Sequence, residues 1–111
     1  MGRKIEVNQY EVFWIDLDPT EGSEIAKTRP CVVLSPDELN QHLRTVIVAP
    51  LTSTIKKYSY RVGCMLNGKT GSIALDQIRT VDKIRIGNYI GRLRESEIQA
   101  IKNILREMFC A

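Results

Sequence analysis

Six short runs rich in β-branched and aromatic residues follow one another along this chain, each bounded by Gly, Pro, Asn or Asp: Tyr10 to Leu17, Cys31 to Leu34, Arg44 to Ala49, Tyr60 to Leu66, Ser72 to Asp76 and Ile86 to Ile90. That spacing leaves little room for crossover helices, so the strands are expected to pair with near neighbours. Turns are predicted at Asn67-Gly68 and Thr70-Gly71. The expected architecture is mainly β, one antiparallel sheet curled into a small barrel. The period then changes. Ile98, Ile101, Ile104, Leu105, Met108 and Phe109 fall on one helical face, with Glu95 and Glu97 at the end where the helix dipole favours negative charge. A C-terminal helix of about four turns is predicted, its apolar stripe buried against the sheet or a partner.

A chain of 111 residues, 43% hydrophobic and 26% charged, reads as one globular domain spanning residues 1–111. At this size a core forms without disulfide staples. Cys31, Cys64 and Cys110 are odd in number and widely spaced, and the first ten residues lack the apolar run of a secretory signal. A reduced, cytoplasmic protein is expected. No apolar run approaches the roughly 20 residues that span a bilayer, so no membrane association is expected. Sixteen Lys and Arg against thirteen Asp and Glu give a formal charge of +3, which permits a polyanionic partner without requiring one.

With a single histidine, His42, and three scattered cysteines, the chain offers no four-ligand zinc pattern. Asp16 and Asp18, two apart on a strand, are a conceivable magnesium pair, but Asp18-Pro19 reads better as the opening of a turn. No metal and no cofactor is expected. His42 lies in a polar stretch without an acid or nucleophile in local register and reads as a solvated loop residue. Cys31, inside an apolar strand, reads as a small buried hydrophobe rather than a nucleophile. Trp14 is expected in the core, with a subunit interface as its other possible place.

Four polar segments remain. Asp18 to Thr28 is long for a hairpin connection, and such loops are either functional or tolerated insertions. Pro30 holds Arg29 extended, and a guanidinium at a barrel mouth suits a phosphate because its planar fork donates two charge-assisted hydrogen bonds. Pro50-Leu51-Thr52-Ser53-Thr54 places hydroxyls at a strand end, where they bind phosphate oxygens or close a turn on their own backbone. Asp76 to Asp82 carries an acid, an amide and an arginine, read either as an Asp76–Arg79 ion pair or as groups that contact bases.

Taken together, these segments resemble the MazF/PemK family, the toxin component of bacterial toxin–antitoxin pairs. The resemblance runs from Val12-Phe13-Trp14-Ile15-Asp16-Leu17-Asp18-Pro19 through Gly22-Ser23-Glu24, Arg29-Pro30, Val32 to Pro36, Ala49-Pro50-Leu51-Thr52 and Asp76 to Asp82. It implies an SH3-like barrel, a homodimer, and sequence-specific cleavage of single-stranded RNA, often messenger RNA, without a metal. By that resemblance Arg29 is the catalytic arginine, Thr52 the phosphate-contacting threonine, and Glu24 a loop acid needed for activity. Asp76 and Gln77 are expected to contact RNA, with Lys27, Thr28, Ser53 and Arg79 beside them. Ile25 to Thr28 and Ser53 to Lys57 fall where family members differ and are expected to set base preference. A cognate antitoxin, acidic and partly disordered, is implied as partner.

The implied chemistry uses the 2′-hydroxyl of RNA as nucleophile and leaves a 2′,3′-cyclic phosphate and a 5′-hydroxyl. Arginine stays protonated and makes a poor general base, so Glu24 and Asp76 remain the candidates for that role. The rival classes are a gyrase-poisoning toxin of the CcdB type on a similar barrel, whose C-terminal tryptophan motif this chain lacks, and a non-catalytic RNA- or peptide-binding barrel.

Overall fold

The computed structural model describes residues 6–53 and 60–110. Among the described residues there are seven strands: β1 (Glu11–Asp16), β2 (Thr28–Val33), β3 (Thr45–Thr52), β4 (Arg61–Leu66), β5 (Lys69–Ala74), β6 (Arg79–Asp82) and β7 (Ile86–Arg92). They form a curled antiparallel sheet in the order β4-β5-β3-β2-β1-β7, with β6 paired to β3. Two helices complete the fold, α1 (Asp37–His42) and α2 (Glu95–Phe109). The predicted mainly β architecture with a terminal helix is what the molecule has.

Alternation along β1 shows how the sheet divides the interior, because successive side chains leave a strand on opposite faces. Phe13, Ile15 and Leu17 enter one cluster with Cys31, Val33, Val46 and Val48. Val12 enters another with Val32, Ala49, Leu51 and Ile73, capped by Ile98 and Ile101 of α2. Ile15, Val12, Val32 and Val48 are wholly buried, each worth about 1.5–3 kcal/mol over an exposed position. The α2 stripe is used as predicted through Met108, but Phe109 is 69% exposed and lies off the packed face.

Helix α2 is fastened by one carboxylate. Glu97, buried at the first turn, accepts the Arg94 amide (2.8 Å) on one oxygen and the Met65 amide of β4 (2.8 Å) on the other. Burial alone would raise its pKa, but these bonds and the Arg94 guanidinium hold it below the ordinary carboxylate value.

Several sequence expectations are corrected. The loop assigned to His42 is the short helix α1, with His42 exposed at its end. It is held by a buried network that a reading of local polarity misses: Asn40 donates to the Ser35 carbonyl, Ser35 Oγ donates to Asn40 Oδ1, and Lys83 Nζ donates to the Asn40 carbonyl. The turn predicted at Thr70-Gly71 lies inside β5. Only Asn67-Gly68 turns, with φ of 51° and 79°, the left-handed pair that matches the twist of a two-residue hairpin. The strand predicted for Ser72 to Asp76 stops at Ala74, where a 3-10 turn over Leu75–Gln77 begins. Strand β6 follows; the sequence reading did not separate it from the polar segment around it.

Candidate functional site

Strand β3 builds both cavities of interest because it changes partner halfway. Thr45 to Val48 pair with β6, whereas Leu51 and Thr52 pair with Ile73 and Ser72 of β5. On its other edge Cys31 of β2 lies opposite Pro50. That register, carried two residues further, aligns Arg29 with Thr52. Arg29 lies in β2 rather than in the loop before it, opposite Ile15 of β1. The two residues expected to grip a phosphate thus come from neighbouring strands.

The larger cavity, ≈ 420 Å³, is bounded by Arg29 and Thr28, by Thr52 and Ser53, by Trp14, and by Asn67, Lys69 and Thr70 of the β4–β5 hairpin. Arg29 Nε donates to the Ala26 carbonyl at 3.0 Å, which orients the guanidinium; among the described residues nothing takes its terminal nitrogens. Thr52 Oγ1 lies 3.4 Å from Ser72 Oγ. Gly71 makes this close pairing possible, since a Cβ there would stand 2.6 Å from the Thr52 carbonyl oxygen. Thr54, and the Ser53 to Lys57 stretch beyond Ser53, lie outside the described residues.

The smaller cavity, ≈ 170 Å³, is walled by Glu24, Ile25, Pro50, Asp76, Gln77 and Arg79. Its polar groups are committed to the protein. Arg61 grips Asp76 with two hydrogen bonds, 2.6 and 3.1 Å, and holds its carboxyl below the ordinary value. The expected Asp76–Arg79 pair is therefore replaced: Arg61 of β4 is Asp76's partner, and Arg79 donates to the Leu17 carbonyl at 3.0 Å. Gln77 Oε1 accepts the Ile25 amide at 3.4 Å, and Glu24 Oε1 accepts the Glu21 amide at 2.6 Å. A carboxylate held ionised by a guanidinium is a weaker base, which argues against Asp76 as the proton acceptor.

Cys31 lies buried in β2, next to Pro30 of the larger cavity and opposite Pro50 of the smaller. Burial pushes its thiol up to about 12, with the charges of Arg79 and Arg29 opposing the shift. Such a thiol is no nucleophile at neutral pH. Lys27 lines neither cavity; it sits at a φ of 70°, its amide donating to Asp18 Oδ1 at 2.9 Å. Asp16 Oδ1 accepts the Asp18 amide at 3.0 Å, so each of the two carboxylates holds one backbone amide at the opening of the loop. Arg85 closes the same corner by donating to the Asp16 and Asp18 carbonyls.

Trp14 requires the largest correction. It was expected in the core and is 44% exposed. It shares a face with Val12, but the α2 cover that buries Val12 does not extend along β1, so the indole emerges at the edge of the larger cavity. Lys69 and Thr70 were missed because nothing local to the hairpin shows that sheet order brings it beside β3. Arg61 was missed for the same reason.

Comparison with known proteins places this geometry. Residues 8–109 match the family described as PemK-like, MazF-like toxin of type II toxin–antitoxin system. The chain is 33% identical over 105 residues to an endoribonuclease MazF of Staphylococcus epidermidis, covering 89% of this chain and 88% of the relative. It is 33% identical over 93 residues to the endoribonuclease toxin MazF of Escherichia coli strain K12, covering 83% and 84%. A crystal structure of MazF from Deinococcus radiodurans has the same fold, with a TM-score of 0.86 at 22% identity over 97% of this chain and 100% of that one. An endoribonuclease in complex with its cognate antitoxin from a mycobacterial species superposes with a TM-score of 0.78 at 22% identity, covering 91% and 92%. The profile match spans nearly the whole chain and the sequence relatives cover most of it, so this protein belongs to the PemK-like, MazF-like toxin family of type II toxin–antitoxin systems.

Proposed function

We propose that this chain is an endoribonuclease toxin that cleaves single-stranded RNA in the cytoplasm and is held in check by a cognate antitoxin. The observation that supports this most directly is the convergence of Arg29 and Thr52 on one cavity, in a chain one-third identical to two proteins named as endoribonucleases. The 2′-hydroxyl oxygen attacks the adjacent phosphorus. A bond from O2′ to phosphorus forms, the bond from phosphorus to O5′ breaks, the 2′-hydroxyl loses its proton and O5′ gains one. The products are a 2′,3′-cyclic phosphate and a 5′-hydroxyl, and no redox partner or metal enters the balance.

Charge builds on the non-bridging oxygens in the transition state. Arg29 and the Thr52 hydroxyl donate to those oxygens; preorganised donors of this kind are often the largest catalytic contribution. Glu24 lies in the adjoining cavity and takes the general-base role in this reading, Asp76 being held ionised by Arg61. Asp76, Gln77 and Arg79 form a rigid wall against which a base is read, while Thr28, Ser53 and Lys27 flank the backbone path. The chain acts as a homodimer, and the antitoxin lays an acidic segment across the larger cavity; that an antitoxin is the partner is supported by the antitoxin-bound structure of the same fold. Among the described residues no helix is long and apolar enough to cross a membrane.

The test is incubation of the purified chain with several long single-stranded RNAs in EDTA, beside Arg29→Ala. Cutting by the wild type alone, at a repeated short sequence with cyclic phosphate ends, is the expected result. No cutting of any RNA by either protein overturns the proposal in favour of a binding barrel.

A further inference from the structure

The half-exposed tryptophan at the rim of the larger cavity has no part in the chemistry above. Trp14 stands opposite Pro30, the residue that follows Arg29. On its other side the β7 pairing slips: Phe13 lies opposite Tyr89 and Ile15 opposite Ile86, so Trp14 alone faces the two residues Gly87 and Asn88. Such bulges re-aim a side chain beside functional sites. The backbone of β7 comes so close here that a Cβ on Gly87 would lie 3.1 Å from the Trp14 carbonyl oxygen. The base of the indole is therefore fixed while its ring is open. Burying a tryptophan is among the larger gains available to a small domain, so its exposure leaves an apolar face to be covered.

The cavity's composition specifies the occupant. Pro30, Leu51, Leu66 and Ile90 line it with apolar surface, while Arg29 and Lys69 carry positive charge to it. A ligand that fits must be flat and apolar on its faces and carry an anion within reach of Arg29. We infer that Trp14 forms a nucleobase subsite, on which the base of a nucleotide neighbouring the scissile phosphate stacks while Arg29 holds that phosphate. Stacking tolerates any base because every base has a π-face, so this subsite anchors the strand and leaves sequence reading to the smaller cavity. The inference rests on the ribonuclease reading of the same groove, and its test separates the two.

Trp14 is the only tryptophan in the chain, so indole emission reports this position alone. Full-length protein is titrated with a randomised 2′-O-methyl RNA 12-mer, which lacks the attacking hydroxyl and stays intact, and separately with polyphosphate, which has charge but no bases. Quenching by the 12-mer and none by polyphosphate is expected. In cleavage of a long transcript, Trp14→Ala raises KM by roughly tenfold and leaves kcat within about twofold, while Trp14→Phe stays close to wild type, as lost stacking requires.

A wild type that cuts RNA without quenching by the 12-mer, or a Trp14→Ala variant with unchanged KM, overturns the subsite and leaves the nuclease intact. Quenching by the 12-mer in a protein that cuts no RNA removes the nuclease and leaves the subsite standing. Emission that responds to protein dilution or to an acidic antitoxin peptide, and not to the 12-mer, overturns the subsite by assigning the indole to a protein contact.

Discussion

The two cavities share a strand and differ in how their polar groups are employed. In the smaller one Asp76, Gln77, Arg79 and Glu24 each already hold a protein partner, so their positions are set before any ligand arrives. In the larger one Arg29 is steered through Nε alone, and among the described residues its terminal nitrogens hold no hydrogen-bond partner. A group that must follow charge as it builds needs open donor positions, whereas a group that compares shapes needs to stay still. On the proposed reading the larger cavity holds the scissile phosphate, and the smaller one reads a base and lends Glu24 to the proton transfer.

The sharpest way to break that division is Arg29→Ala. It is expected to lower kcat by about a hundredfold to a thousandfold, the usual consequence of removing a transition-state donor, with little change in the thermal midpoint. A large fall in stability instead would make Arg29 a structural residue and dissolve the contrast.

Next in size is Glu97→Ala, which removes the bonds joining α2 to β4 behind the larger cavity. About 2–3 kcal/mol of stability is expected to be lost in denaturant melts, because Met65 and Arg94 amides lose a charged acceptor. The folded pKa of Glu97 lies below 4.5, so this stabilisation is present above pH 4.5 and is lost as pH falls through the folded value. The wild type should therefore lose stability more steeply than Glu97→Gln on acidification below pH 4.5.

Gly71→Ala sharpens the comparison at the Thr52 end. The added methyl meets backbone and not a flexible side-chain tip, so β5 must move away from β3. A cost of about 1–2 kcal/mol and a fall in cleavage rate at unchanged cut sites are expected.

Arg61→Gln, the smallest change, frees Asp76 and should shift the distribution of cut sites, read by sequencing RNA ends, with total rate altered less than about tenfold. Asp76 is more than a third exposed, so solvent screening limits the stability loss to about 0.5 kcal/mol. That loss is seen above pH 3.8 and vanishes as pH falls through the lowered pKa.

Much of this architecture is legible in the sequence because its signals are local. Asn67-Gly68 fixes a hairpin by its own backbone preferences, and the spacing from Ile98 to Met108 fixes a buried helical face. Arg29, Thr52, Glu24, Asp76 and Gln77 were singled out from sequence, and the structure gathers them around two adjoining cavities. What failed was set by other parts of the chain. Gly71 reads as a turn residue, and only the approach of Thr52 explains a glycine within a strand. Trp14 reads as core because nothing along β1 shows where the α2 cover ends. Asp76 reads as the partner of the nearby Arg79, yet the sheet delivers Arg61 to it.

Pro50 marks where β3 leaves β6 for β5, and it lacks the amide hydrogen that continued pairing would use. It walls the smaller cavity while its next neighbours wall the larger. The loop from Asp18 to Thr28 gives Glu24 and Ile25 to the smaller cavity and Thr28 to the larger. Because the same loop carries Glu24 and the Ala26 carbonyl that steers Arg29, a change in it that alters the smaller cavity also reaches the guanidinium in the larger one.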